Sequence, residues 1–190
     1  MKTKFTLQLW TLILCACSTG ISSPQTTPTQ TATEGTSSPA LTPTSDFPYT
    51  QCGWQWAYEE LPELSALFDN AVKVSIPNSS SRATAFGENC LDNDGQVVSF
   101  LAMETDFHVI ISVESLDDYD TFGNWMAQVM QTVNNLPPDM IAGPMPGVVE
   151  LRFEKNTDEF IILRVPIQEY NESANGKTGE ELFRMFYTNP

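Results

Sequence analysis

Phe122, Trp125, Met126, Val129, Met130, Val133 and Leu136 recur at i, i+3, i+4, i+7, i+8, i+11 and i+14, a spacing that only an α-helix gathers into one apolar stripe. A stripe of that length has to be buried, so the rest of the chain must supply a matching apolar surface. Its neighbours alternate instead. Arg82 to Asp92 reads as a strand, Asn93-Asp94-Gly95 as a hairpin turn, and Val97 to Glu114 as one long strand or two consecutive ones. Beyond a proline-rich loop, Val148 to Glu154 and Glu159 to Glu169 form a second hairpin around Lys155-Asn156-Thr157-Asp158. Leu61, Leu64, Leu67, Phe68, Ala71 and Val74 predict a helix over about 61–75, with Pro62 suited to its first turn and Ile76-Pro77-Asn78 ending it. Asp120 or Thr121 is the expected cap of the central helix, and Thr178 with Glu181 has the form of a capping box opening a last short helix. The order α-β-β-α-β-β-α predicts an α+β fold: an antiparallel sheet of four to five strands with helices on one face, from two αββ units. Side-chain identity between the halves is too slight to assert a duplication.

The first residues have a different character. Lys2 and Lys4 precede an apolar run from Phe5 to Leu14, too short to span a bilayer as a helix and of the length of an export signal. Leu14-Cys15-Ala16-Cys17 resembles the lipobox of bacterial lipoproteins. The resemblance implies a signal peptide over 1–16, cleavage after Ala16, and Cys17 as the lipidated first residue of the mature chain. Cys15 is the rival, but it follows Leu14, too bulky for the usual cleavage site. Ser18 stands where that family's inner-membrane retention signal, Asp, would sit, which implies outward display, on the outer membrane if the host has two. Several acyl chains, each CH₂ contributing about 0.8 kcal/mol, make such an anchor stable. From Ser18 to Asp46 the chain is almost entirely Thr, Ser, Pro, Gly, Ala and Gln, with Glu34 the one charge before Asp46. Residues 17–46 are therefore expected to form a disordered tether, and 47–190 a single globular domain.

Removing Lys2 and Lys4 from the nine basic residues leaves seven against twenty-four acidic ones, a formal charge of −17. That excess excludes nucleic acid as a partner and disfavours anionic lipid heads; the membrane contact expected is the lipid anchor. In an exported domain, the remaining pair Cys52 and Cys90 reads as a disulfide worth about 4 kcal/mol in the chain-entropy model. With His108 the sole histidine and those cysteines paired, an ordinary zinc site has no ligand set. Asp92-Asn93-Asp94-Gly95 resembles part of a calcium loop, but the frame puts Cys90 at the first ligand position and Leu101 where the bidentate Glu belongs. Glu114, Asp117, Asp118 and Asp120 are the weak candidates for a cation, competing with a role as negative charge at a helix start.

Chemistry is sparse. On a strand His108 would be a base beside Ser112, yet no nucleophile elbow or Gly-rich oxyanion turn accompanies it. Glu104 and Asp106 share a strand face and imitate a glycosidase pair, although such pairs normally come from separate elements. Recognition has more support. Trp54, Trp56 and Tyr58 alternate after Cys52 and make one side of an extended segment into a stacking platform for sugar or peptide, with burial of at least two against the sheet as the ordinary outcome. Met140, Ile141 and Met145 on the proline-rich loop suit a partner contact when exposed and cap the core when tucked under. The expected function is that of a membrane-anchored, surface-exposed binding or envelope-assembly module, non-enzymatic and without cofactor, with a protein or glycan partner. The alternative is an extracytoplasmic hydrolase using the clustered carboxylates or His108.

Overall fold

The computed structural model describes residues 52–187. The expected export signal, Cys17 and the expected tether lie outside them. Within the described residues the order is β1 (Gly53–Glu60), α1 (Pro62–Ser75), β2 (Ser79–Leu91), β3 (Val97–Ser112), α2 (Tyr119–Asn134), β4 (Met145–Glu154), β5 (Phe160–Pro166), a single α-turn α3 (Ile167–Glu169) running into a π-turn (Tyr170–Ala174), and α4 (Gly179–Phe186). The expected α-β-β-α-β-β-α order is present, preceded by a strand. That extra strand is the segment carrying Trp54, Trp56 and Tyr58.

The five strands lie in the order β1-β2-β3-β4-β5. Neighbours are antiparallel except β3 and β4, which run parallel. An all-antiparallel sheet is therefore corrected at this one junction. The reason lies in α2: a chain that leaves β3, returns along a sixteen-residue helix and enters β4 from the same end must pair parallel.

Pleating sends alternate residues to opposite faces. One face carries Ala83, Phe107, Val109, Ile111, Val149, Leu151, Phe153, Leu163 and Val165, all buried, and takes up the stripes of α1, α2 and α4. Phe122 from α2 stacks on Phe153 from β4 at 4.2 Å, and Phe183 from α4 tilts against both. Gly123 lets α4 come this close, since a Cβ there would meet the Gly179 carbonyl oxygen at 1.8 Å.

The edge of β2 changes hands midway. β1 pairs with it from Leu91 to Thr84. Beyond that, α1 takes over with side chains: the Ser65 hydroxyl accepts from the Ala83 N–H and donates to its carbonyl, and the Asp69 carboxylate accepts from the Ser81 N–H at 2.8 Å. Burial works against the Asp69 charge, but Lys73 and the Ser81 donors outweigh it and hold the carboxyl below its ordinary pKa. Cys52 and Cys90 form the expected disulfide, fastening the start of β1 to the end of β2.

Candidate functional site

All the helices that cover the sheet lie on one side, so the opposite face is open among the described residues. β1 is its rim. Alternation brings Trp54, Trp56 and Tyr58 onto this face, and they are 54, 60 and 62 % exposed. The expectation that at least two would be buried is corrected: α1 packs on the other face of the sheet, and its hydrogen bonds to β2 reach only Ser81 and Ala83. Trp56 lies flat on Phe86 of β2, centroids 5.2 Å apart at 14°, and Tyr58 tilts over the same ring at 5.0 Å. Phe86 is the ring the sequence reading passed over. Counting in twos from Arg82 along β2 would have placed it on this face.

Beside the rings the face sinks into a depression of about 340 Å³ lined by Tyr58, Glu60, Arg82, Thr84, Asp106, His108, Glu150 and Arg164. Register explains the grouping: Glu60 pairs with Thr84, Arg82 with His108, Thr84 with Asp106, His108 with Glu150 and Glu150 with Arg164, so one row after another points the same way. Arg82 pairs with Glu60 at 3.3 Å. The His108 ring is held on both sides, with Nε2 3.3 Å from the Thr84 hydroxyl and Nδ1 3.5 Å from Glu150. Asp106 is buried and its Oδ1 accepts from the Val148 N–H at 3.0 Å. Its neighbour Glu104 has its pKa raised, first by burial and then by the Asp106 charge, against the pull of Arg164.

A hydroxyl, an imidazole and a carboxylate in line have the composition of a nucleophilic relay. Two features oppose that use. Thr84 is only 2 % exposed, at the floor of the depression with its hydroxyl against the His108 ring. Its strand is also paired on both sides, by β1 and β3, so backbone N–H groups there are committed to the sheet instead of being aimed at a developing oxyanion. Ser112, the expected partner of His108, makes no contact with the ring; Thr84 holds that position.

The other candidates have local duties. Met140 and Ile141 pack against the core, and Met145, at the start of β4, is 43 % exposed. Their loop is pinned to β3 by the Thr105 hydroxyl, which accepts from the Ala142 N–H and donates to its carbonyl. The three apolar side chains therefore do not form one surface. Asp118, rather than Asp120 or Thr121, caps α2, accepting from the Thr121 N–H at 3.1 Å. Asp120 instead faces α4, where with Asn124 it accepts from the Glu180 and Gly179 N–H groups. The capping box is corrected accordingly: the Thr178 side chain makes no cap bond and Glu181 pairs with Lys177, because side chains from α2 already occupy the donors of α4. Asp117 accepts from the Ser115 hydroxyl, and no group of three or more His, Cys, Asp or Glu among the described residues is placed to hold a metal ion. Asp92 to Gly95 is a turn, its Asp92 carboxylate accepting from the Asp94 and Gln96 N–H groups. Two larger hollows, by Asn134 and Lys177 and by Glu63 and Asp139, bring no base and hydroxyl together with an acid.

Compared with models of known protein families, with curated proteins and with solved structures, the chain matches none.

Proposed function

We propose that the protein is a lipid-anchored, extracytoplasmic binding module, non-enzymatic, exported by its first sixteen residues and held at the membrane through Cys17, whose recognition surface is the open face of the sheet. The observation that carries the recognition surface is the row of Trp54, Trp56 and Tyr58, each more than half exposed on a face that carries no helix among the described residues. Exposed rings in a row are a costly arrangement for a monomer and a productive one for a ligand that lies flat on them. The strongly acidic chain disfavours an anionic ligand. An uncharged or cationic extended chain, a glycan or a peptide, meets both conditions, stacking on the rings while Glu60 and Glu150 accept its hydroxyl or ammonium protons.

The test is retention on immobilised peptidoglycan fragments, linear neutral glucans and unstructured basic and acidic polypeptides, comparing the wild type with a Trp54→Ala/Trp56→Ala variant. The reading expects retention on one neutral or basic polymer and at least a tenfold loss in the variant. Equal retention of the two proteins, or a preference for the acidic polypeptide, contradicts it. Mass spectrometry of the mature chain tests the anchor separately: diacylglycerol on Cys17 supports it and a bare thiol there contradicts it. The hydrolytic alternative draws only on the line Thr84, His108, Glu150. A His108→Ala protein that retains full function in the cell removes it.

A further inference from the structure

We infer that two copies of this chain join through β1, antiparallel and centred on Trp56, into one ten-stranded sheet. This is independent of which polymer the open face binds, since the rings project from the face and the proposed contact runs along its edge.

Glu60 faces Thr84 in the ladder, and the next pair, Leu61 and Ala83, is joined by a bond from the Leu61 N–H to the Ala83 carbonyl. In an antiparallel ladder the direction alternates residue by residue, so odd-numbered residues of β1 point their N–H and C=O at β2 and even-numbered ones point them outward. The outward groups therefore belong to Trp54, Trp56, Tyr58 and Glu60. These are the residues whose side chains occupy the open face. Apart from the two carboxylates at its end, Glu59 and Glu60, the edge has few of the features that normally block pairing: no proline, no lysine, no bulge in its pairing with β2, and seven of its eight residues are exposed.

A second β1 related by a two-fold axis through Trp56 satisfies every condition at once. Even residues then face even residues, so both open faces stay on the same side. Trp56 lies opposite its own copy and Trp54 opposite Tyr58, each a hydrogen-bonded aromatic cross-strand pair. Shifting the register by one step on this face, to an axis through Ala57, would set Trp54 against Glu60, which already pairs with Arg82. The centred register also keeps the two Glu59-Glu60 ends apart. Pairing covers the two edges and only the facing flanks of the rings, whose outer faces stay open, so the contact is small and its strength rests on the backbone bonds and the aromatic cross-strand pairs. Dimerisation lengthens the aromatic row and removes the exposed edge.

Cross-linking tests both the contact and its register. Paired as described, the two Trp56 Cα atoms lie about 5.5 Å apart, within disulfide range, whereas two Ala57 Cα atoms are offset by two residues and lie outside it. The full chain, purified as the cell makes it, is expected to give a disulfide-linked dimer with Trp56→Cys and none with Ala57→Cys. Sedimentation of the unmodified chain is expected to show a monomer–dimer equilibrium that tightens as salt rises, because two strongly acidic copies repel one another. Trp56→Pro, which removes an outward N–H and the ring that stacks on Phe86 while leaving every N–H that β1 donates to β2, should raise the dimer dissociation constant at least tenfold, with the Cys52–Cys90 bond intact as the check on folding. A monomer at all concentrations, cross-linking through Ala57→Cys instead, or a dimer indifferent to Trp56→Pro overturns the proposal. So does protection of the β1 edge amides from hydrogen exchange in a chain that sediments as a monomer, which would mean that an upstream segment pairs there.

Discussion

Two aromatic groups in this molecule are built from the same kind of contact and end in opposite environments. Phe122, Phe153 and Phe183 stack and tilt against one another under α2 and α4, and all three are shut off from solvent. On the far face of the same sheet Trp56 and Tyr58 lie against Phe86, and with Trp54 they keep more than half of their surface exposed. Ring geometry does not separate the two sets; helix cover does. The first set contributes its whole apolar area to stability, whereas the second contributes little and leaves a surface on which something else can be stacked.

Substitution of the inner set has the largest effect. Phe153→Ala should cost about 3–5 kcal/mol in urea unfolding, because the ring is fully buried between Phe122 and Phe183. Removing the disulfide by Cys52→Ser/Cys90→Ser should cost about 2–4 kcal/mol and show first as faster amide exchange in β1, the strand that carries the outer row. Gly123→Ala should cost about 1–3 kcal/mol by driving a methyl into the Gly179 carbonyl and lifting α4 from the inner set.

A smaller effect sharpens the boundary between the two regions. The Asp69 carboxyl sits below its ordinary pKa where α1 takes over the β2 edge. Its folded pKa is lower than its unfolded one, so its contribution is present above the unfolded value and fades as pH falls through the folded value. Unfolding free energy measured from neutral pH down into the acid range should therefore fall less steeply in Asp69→Asn than in the wild type.

Much of this fold was legible in the sequence because the helix stripes and hairpin turns are local signals. The stripe from Phe122 to Val133 predicts α2, and Asn93-Asp94-Gly95 predicts a turn that the structure contains, with Gly95 at φ 77°. What escaped depends on contacts far apart in the chain. The direction of β4 beside β3 follows from where α2 returns the chain, which no residue spacing encodes. The cap of α4 comes from Asp120 and Asn124 on another helix, so the local pattern Thr178 with Glu181 misleads. The candidate site was half legible: Trp54, Trp56 and Tyr58 are visible as an alternating row, but their exposure depends on which side of the sheet the helices choose. The ring of His108 between Thr84 and Glu150 joins three strands, and only the register brings them together.

The most direct measurement is the unfolding free energy of Trp54→Ala/Trp56→Ala in urea, with wild type alongside. If the outer row is a surface held in water, the double variant loses about 1 kcal/mol, the worth of one ring stack and some cross-strand contact. A loss of 4 kcal/mol or more would mean that these rings are core, and the open face would then be no place for a ligand to lie.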